Sequence, residues 1–224
     1  MSPSTSLRTG LELYGHPFSS YTWKALIPLR ADGTPFEFRQ VPENEANYTE
    51  LKRMWPFGKF PMLVDNGQVI AEVTCIIEHL QAYHPGPNVW IPEGELGRRV
   101  RFLDRFFDLY VMENMQKIAT DPLRPEASRD TFGVEAAHRN LETAYDWIES
   151  QIGDQWAAGE HFSLPDCAAA PSLFYADWVH PIGDKRPKLA AYRARLLAHP
   201  HVMRAVEEAR PFRAYFPLGA PDRD

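Results

Sequence analysis

A proline-rich segment in the middle of the chain separates two different sequence patterns. Residues 84–92 hold three prolines and one glycine, and such a stretch excludes regular helix or strand because proline fixes φ and removes a backbone donor. Before this segment short strand-like and helix-like pieces alternate, and after it apolar residues recur with the period of a helix. The sequence therefore predicts two units joined by a linker, in which Val89, Trp90 and Ile91 are expected to be packed down.

The part of the chain before the linker is predicted to be an α/β unit with the order βαβαββα. Two strands joined by a helix lie parallel, and the apolar runs around Asn66-Gly67 indicate a hairpin because both turn positions need φ > 0. We place Cys75 on the inner face of the last helix, beside Ile76 and Ile77. The predicted elements are strand 11–14, helix 21–30, strand 36–41, helix 48–54, strands 62–65 and 68–71, and helix 74–83.

The part after the linker is predicted to be all-helical. Ser163 can cap a central helix, Pro165 suits its first turn, and Asp166 can reach back to the cap as in a capping box. The predicted helices are 96–119, 130–152, one opened by Ser163, 188–198 and 202–209. The inner stripe of the first of them is Val100, Leu103, Phe106, Phe107, Tyr110 and Val111. The expected fold class is α+β with two domains, residues 9–84 and 95–224, and a linker over 85–94.

The composition excludes several classes of function. The 224 residues carry a net charge of −6 without a concentrated basic face, so we expect no nucleic-acid partner. No apolar run approaches the roughly 18 to 20 residues needed to cross a bilayer. Residues 1–10 lack the apolar core of a secretory signal, so we expect no membrane partner and a cytoplasmic location. Both cysteines, Cys75 and Cys167, are expected to be buried, and the eight histidines show no metal-ligand spacing, so no metal is expected.

This arrangement and four local segments, in the same order, resemble the cytosolic glutathione transferases. The segments are residues 13–24, 55–63 and 70–80 and the helix cap at Ser163 and Asp166. The resemblance runs from Leu11 to Arg210. It implies a thioredoxin-like N-terminal domain with glutathione as co-substrate, an all-helical C-terminal domain, a hydrophobic electrophile as second substrate, and a homodimer.

The first segment, Leu-Tyr-Gly-His-Pro-Phe-Ser-Ser-Tyr-Thr-Trp-Lys, is similar at its start to the phi class and at its end to the zeta class of this family. The resemblance implies that Ser19 is catalytic, with the adjacent Ser20 as the alternative, by donating a hydrogen bond to the glutathione sulfur. Lowering a thiol pKa by about two units takes roughly 2.7 kcal/mol, and one hydrogen bond to a charged group contributes about 1.5 to 3 kcal/mol. Without the resemblance, either serine reads as an ordinary helix N-cap.

The second and third segments carry the implied glutathione-binding residues. Trp-Pro-Phe-Gly-Lys-Phe-Pro-Met-Leu looks like the family's Asn-Pro-x-Gly-Lys-Val-Pro-x-Leu, which implies a cis peptide bond before Pro61 and a backbone contact from Phe60, with Lys59 in the same set. Glu72 falls on the acidic position that receives the γ-glutamyl ammonium. Val73 stands where a serine or threonine usually binds the γ-glutamyl carboxylate, so its backbone N–H at the helix start is left for that role.

The acceptor pocket implied by the resemblance is expected between the two domains. Its candidate lining is Tyr110, Met112, Met115 and Trp178, although aromatic and methionine residues of this kind are also what any buried helix carries. The identity of the electrophile is not encoded in such packing residues.

Three alternatives accompany this reading. A non-catalytic binding protein of the same fold stays open because Val73 lacks a hydroxyl. A glutathione-dependent isomerase of the zeta type matches in part, since that motif has a cysteine where this chain has Tyr21. A thiol-disulfide oxidoreductase is disfavoured because residues 19–22 contain no cysteine for the helix start.

Overall fold

The computed structural model describes residues 10–224. The absence of a secretory signal was predicted for residues 1–10, of which only Gly10 lies within this range. Residue 9, the first of the predicted N-terminal domain, also lies outside it. The chain divides into two compact units, one ending at Asn88 and the other beginning at Val89. The first combines a small sheet with helices and the second is built of helices, so the expected fold class is confirmed.

The first unit contains a four-stranded sheet whose order across the sheet is β2-β1-β3-β4. β1 and β2 are parallel, as expected for strands joined by a helix, whereas β3 is antiparallel to both β1 and β4. The Asn66-Gly67 turn forms the predicted hairpin, with φ of 48° and 89° at its two residues. The strands are β1 (Leu11–Gly15), β2 (Glu37–Gln40), β3 (Met62–Asp65) and β4 (Gln68–Ala71).

The three helices of the first unit differ in how much of their surface is buried. They are α1 (Ser20–Ala31), α2 (Glu45–Met54) and α3 (Val73–Tyr83). In α3 the buried positions are Val73, Ile76, Ile77 and Leu80, which follow the helical i, i+3, i+4, i+7 spacing. Cys75 lies off this stripe and is exposed. The prediction that it is buried was therefore wrong, because one residue along a helix turns the side chain by about 100°.

Residues 84–92 contain neither helix nor strand, as expected. Trp90 and Ile91 are buried, and the carbonyl oxygen of Trp90 accepts a hydrogen bond from the Leu164 N–H at 3.1 Å. Val89, however, is 60% exposed. The expectation that all three apolar residues are packed down was wrong for Val89.

In the second unit, the single long helix expected over residues 96–119 contains a π-helical turn. Helix α4 (Gly94–Phe106) continues through the π segment Phe107–Met112 into α5 (Glu113–Thr120). The Glu113 N–H bonds the carbonyl of Asp108, five residues earlier. The additional residue in this turn keeps Phe107, Val111 and Met112 buried, while Tyr110 is 56% exposed. Tyr110 was therefore wrongly placed on the inner stripe.

The remaining helices include one, over Leu164–Val179, that is buried along nearly its whole length. They are α6 (Thr131–Gln151), α7 (Leu164–Val179), α8 (Pro187–Leu197) and α9 (Pro200–Ala209). The predicted capping box opens α7, where the Ser163 N–H donates to Asp166 Oδ2 at 2.9 Å. Cys167 is fully buried behind it, as expected. Within residues 10–224 no helix is both long and apolar enough to cross a bilayer.

Candidate functional site

The loop between β1 and α1 is fixed in place by hydrogen bonds from α1. The His16 N–H donates to Thr22 Oγ1 at 3.3 Å, and the indole N–H of Trp23 donates to the Pro17 carbonyl at 2.6 Å. The Ser19 N–H closes the turn on the His16 carbonyl at 2.9 Å. Trp23 and Thr22 are both fully buried. The position of Ser19 is therefore set by two core side chains of the next helix.

Ser19 is the N-cap of α1. Its Oγ accepts a hydrogen bond from the Thr22 N–H at 3.3 Å, which uses an oxygen lone pair and leaves the hydroxyl hydrogen able to donate. Ser19 is half-buried, whereas Ser20 is only 7% exposed and is the first helical residue. Capping and thiol binding are thus compatible for Ser19, and its side chain is the more accessible of the two.

Pro61 is the residue directly before β3. The Phe60–Pro61 peptide bond is cis, as predicted. Phe60 packs its side chain against a buried cluster that includes Tyr14 and Met62, so its ring is engaged in packing and its backbone is the part that can contact a ligand. Lys59 is exposed.

Glu72 is the N-cap of α3 and has an unusual backbone. Its φ of 66° and ψ of 118° lie where a residue with a side chain is rarely found. Such conformations concentrate at binding sites, where the surrounding structure maintains them. Glu72 is exposed, and Val73 follows as the first helical residue, with a buried side chain. The first N–H groups of a helix have no partner within it, so the start of α3 can bind an anion.

Sheet register brings these three segments to one edge. Tyr14 near the end of β1 pairs with Met62 at the start of β3, and Met62 pairs with Ala71 at the end of β4. The loop holding Ser19 follows β1, Pro61 precedes β3, and Glu72 follows β4. A hydroxyl, a cis-proline backbone and a helix start with an acidic cap therefore share this end of the sheet, which we call the thiol edge.

Comparison with known proteins identifies the family that has this arrangement. The sequence model of the glutathione S-transferase N-terminal domain matches residues 13–88, and that of the C-terminal domain matches residues 131–195. The chain belongs to the glutathione S-transferase family. It is 23% identical over 207 residues to glutathione S-transferase F6 of Arabidopsis thaliana, covering 88% of this chain and 99% of that protein.

Two further relatives bear on the chemistry. A probable maleylacetoacetate isomerase of Caenorhabditis elegans is 27% identical over 174 residues, covering 74% of this chain and 78% of that protein. A crystal structure of a glutathione S-transferase from Methylobacterium radiotolerans, in complex with glutathione sulfonate, is similar with a TM-score of 0.75 and 28% identity. That likeness covers 88% of this chain and 94% of the other.

Tyr14, near the end of β1, also has a hydroxyl. It is fully buried, and its O–H lies 2.8 Å from Glu50 Oε2 and 3.2 Å from Glu12 Oε2. Burial, followed by the hydrogen bond and charge of Glu50, raises the pKa of Tyr14 well above its ordinary value. The Tyr14 O–H is therefore directed at carboxylates.

Two buried polar residues near this end of the sheet were not singled out from the sequence. Lys24 is 1% exposed, and its Nζ donates to Thr74 Oγ1 at 3.2 Å, which brings a positive charge to the start of α3. The sequence signal for Lys24 was its position, as a charged residue, inside the apolar run of α1. His16 is also buried, and its Nδ1 accepts the Phe18 N–H at 3.1 Å. Burial lowers the pKa of His16, against the opposing effect of Glu43, so the neutral ring supports the loop.

The proposed acceptor residues occupy different environments within the helical unit. Met112 and Met115 are buried, Tyr110 is largely exposed, and Trp178 is half-buried. The Trp178 ring lies 4.7 Å from that of Phe174, centre to centre. The role of these four residues in lining an acceptor pocket stays a prediction.

Proposed function

We propose that the protein is a glutathione transferase in which Ser19 holds the glutathione sulfur as a thiolate for attack on a hydrophobic electrophile. The supporting observation is the thiol edge, where Ser19 shares one end of the sheet with Pro61 and Glu72. Ser19 caps α1 and its side chain is half-buried. The matches to both domains of the family support the same activity.

The proposed chemistry needs only a modest stabilisation of charge. A hydrogen bond from Ser19 to the thiolate contributes about 1.5 to 3 kcal/mol, and the positive end of the α1 dipole adds about 0.3 to 1 kcal/mol. Together these lower the thiol pKa by roughly two units, since each unit corresponds to about 1.36 kcal/mol. The thiol proton leaves to solvent, a sulfur–carbon bond forms, and a leaving group departs with its electron pair or the electrophile is protonated.

The proposed glutathione contacts follow from the same edge. The backbone of Phe60, beside Pro61 and Lys59, takes the cysteinyl part of the tripeptide, and the Glu72 carboxylate takes the γ-glutamyl ammonium. The Val73 N–H at the start of α3 takes the γ-glutamyl carboxylate. Val73 supplies no hydroxyl, and the buried ammonium of Lys24 supports the anion instead.

A binding experiment followed by a turnover experiment tests the proposal. We expect the protein to be retained on glutathione-agarose and eluted by free glutathione, and the complex to show thiolate absorbance at neutral pH. Turnover is then measured with an aryl halide, an epoxide and an α,β-unsaturated carbonyl compound. Failure to bind glutathione would rule the proposal out, and binding without thiolate or turnover would favour the non-catalytic alternative.

A glutathione-dependent isomerase is the second candidate, supported by the relative named a probable maleylacetoacetate isomerase. The segment Ser-Ser-Tyr-Thr-Trp-Lys is similar to the zeta motif except at Tyr21. The distinguishing assay follows cis–trans isomerisation of a maleyl compound with catalytic glutathione. Isomerisation without consumption of glutathione would favour this candidate over transfer.

We further propose that the protein is a homodimer in which exposed aromatic residues of one chain contact the other chain. Phe57 in the first unit is 73% exposed. In the second unit Phe102 and Tyr110 are 50% and 56% exposed, and the ring of each packs against that of Phe106. Exposed aromatic groups of this kind are typical of protein interfaces.

A further inference from the structure

Three potential metal ligands converge in the first unit. Asp65 is the last residue of β3, His79 lies near the end of α3, and His84 follows that helix directly. The Nε2 atom of His79 is 2.8 Å from Asp65 Oδ2, and the Nε2 atom of His84 is 2.6 Å from the same oxygen. One ligand atom from each residue lies within 4.8 Å of the other two.

The sequence could not indicate this cluster by ligand spacing. His79 and His84 are five positions apart rather than the three or four that place two ligands on one helical face. They meet because His84 lies beyond the last turn of α3, where the chain has left the helix. The carboxylate comes from a strand that packs beside this end of α3.

The three side chains are held in place and still reachable. Asp65 Oδ1 accepts a hydrogen bond from Asn66 Nδ2 at 2.8 Å, which fixes the carboxylate and leaves Oδ2 facing the imidazoles. The side chains of His79, Asp65 and His84 are 9%, 11% and 30% exposed. The His79 ring also packs against that of Tyr83, with 4.7 Å between centres. A small ion can therefore enter beside His84 without unfolding the unit.

The geometry fits a tetrahedral ion after a small adjustment. Zinc binds imidazole nitrogen and carboxylate oxygen at about 2.0 to 2.2 Å, which puts neighbouring ligand atoms about 3.4 Å apart. The two nitrogens now lie 2.8 and 2.6 Å from the carboxylate oxygen, so an increase of under about 1 Å, within reach of side-chain rotation, would admit the ion. The ion would replace the hydrogen-bonded protons between the rings and the carboxylate.

We propose that Asp65, His79 and His84 form a binding site for a divalent transition metal ion, with Zn²⁺ as the ion that this ligand set suits best. Two imidazoles and one carboxylate are typical zinc ligands, and a water molecule takes the fourth position. The ion joins the end of α3 to the end of β3 and thereby fixes the point at which the chain enters the linker.

This site is separate from the thiol edge. Pro61 and Glu72 lie at the starting ends of β3 and α3, whereas Asp65 and His84 lie at their far ends. Eleven residues of helical rise between Val73 and His84 amount to about 16 Å. The ion is therefore expected to stabilise the first unit and to take no part in thiol chemistry.

Metal titration of the untagged protein tests the proposal. The protein is stripped with a chelator and titrated with Zn²⁺ by calorimetry and with Co²⁺ by visible absorption, which reports tetrahedral coordination. We expect one ion per chain and a tetrahedral Co²⁺ spectrum. Asp65→Asn and His79→Gln are each expected to weaken Zn²⁺ binding at least about 100-fold, since even the partners of ligands are worth 10- to 100-fold.

His161→Gln is the matched control, because His161 is an exposed histidine of the other unit. It should bind Zn²⁺ as the unaltered protein does. Equal binding by His79→Gln and His161→Gln, or no stoichiometric Zn²⁺ in the unaltered protein, would overturn the proposal. His84→Gln, at the most exposed ligand, provides the test if His79→Gln does not fold. Its retention on glutathione-agarose should be unchanged, which separates this proposal from the transferase activity.

Discussion

At the scale of single residues, Ser19 and Glu72 show how a structural and a chemical role can share one side chain or one backbone. Ser19 Oγ accepts the Thr22 N–H at 3.3 Å and retains its hydrogen for a ligand. Glu72 is the N-cap residue of α3 and has a φ of 66°. Both residues lie at a helix start and carry a group that the proposed chemistry needs.

Substitution of Ser19 separates capping from thiol activation. Ser19→Ala should lower stability by about 0.5 to 2 kcal/mol through loss of the cap, whereas Ser19→Gly should cost only a few tenths of a kcal/mol. Both should lower kcat/KM about 10- to 100-fold, because each removes a hydrogen bond to a charged sulfur. The measurements are urea unfolding, and kcat/KM together with the pKa of bound glutathione.

Ser19→Thr keeps a hydroxyl and should retain much of the activity, and Ser20→Ala should have a small effect. If Ser20→Ala abolished thiolate formation while Ser19→Gly did not, Ser20 would be the activating residue.

Replacement of Glu72 by glycine should stabilise the fold and weaken glutathione binding. Glycine adopts positive φ without strain, so Glu72→Gly should add about 1 kcal/mol to the free energy of unfolding. Loss of the carboxylate should raise KM for glutathione about tenfold or more, with a smaller effect on kcat. Glu72→Gln is the control: it should raise KM similarly without the gain in stability. An unchanged KM in both variants would contradict the proposed ammonium contact.

At the scale of elements, the helical unit depends on two helix starts. Gly97 in the first turn of α4 lies against the carbonyl of Pro92, and a Cβ at Gly97 would lie 1.9 Å from that oxygen. At the start of α7, the Asp166 carboxylate accepts hydrogen bonds from Ala157 N–H and Ser163 N–H, each at 2.9 Å, and from Tyr192 O–H at 2.7 Å. The first turn of each of these two helices therefore contacts residues that lie outside that helix.

Gly97→Ala should be strongly destabilising, although alanine is the better helix former by about 1 kcal/mol. The clash involves a backbone carbonyl that cannot rotate away, and overpacking of this kind costs about 3 kcal/mol. The free energy of unfolding in urea is the measurement. Gly153→Ala is the matched control, because a Cβ there meets nothing within 4 Å. A gain in stability for Gly97→Ala would show that this contact is relaxed in solution.

The capping box should make stability depend on pH. Burial raises the pKa of the Asp166 carboxyl from 3.8 to about 6, although its hydrogen bonds oppose the rise. Below pH 3.8 the Asp166 carboxyl is protonated in both the folded and the unfolded protein. Between the two values the unfolded chain loses its proton first, so the free energy of unfolding falls as pH rises, by at most about 1.4 kcal/mol per pH unit.

The check is urea unfolding of the unaltered protein and of Asp166→Asn between pH 4 and 6. The stability of the unaltered protein relative to the variant should decline across this interval and level off above it. A relative stability that rises with pH would mean that the hydrogen bonds outweigh burial.

At the scale of the whole molecule, exposed aromatic side chains in each unit support association between chains. Phe57→Ser should weaken the proposed homodimer, because burying one phenylalanine contributes about 1.5 to 3 kcal/mol and a twofold interface uses each residue twice. The dissociation constant should rise at least about 100-fold, as measured by light scattering and sedimentation over a dilution series.

Phe132→Ser is the control for association, because Phe132 is a phenylalanine of similar exposure, 77%, that is not part of the proposed interface. It should leave the oligomeric state unchanged. A monomeric unaltered protein at all concentrations, or equal weakening by both substitutions, would contradict the proposed interface.

Features that depend only on neighbouring residues could be predicted from the sequence. The order of elements, the Asn66-Gly67 hairpin, the Ser163 cap and the irregular segment 84–92 follow from turn chemistry, capping and proline, and the structure has all of them. The resemblance to the family also predicted the cis peptide bond before Pro61, which the structure confirms. The boundaries 9–84, 85–94 and 95–224 stay predictions.

Which side chains meet and which are exposed became known from the packed structure. The contact of Lys24 with Thr74 and the cluster of Asp65 with two histidines join residues of different elements. The exposure of Cys75 and the π turn beside Tyr110 instead place residues on another face of their own helix. Helical periodicity gives a face only to within a residue, and a contact between elements requires their packing to be known. Local chemistry therefore specified the elements, and packing specified the sites between them.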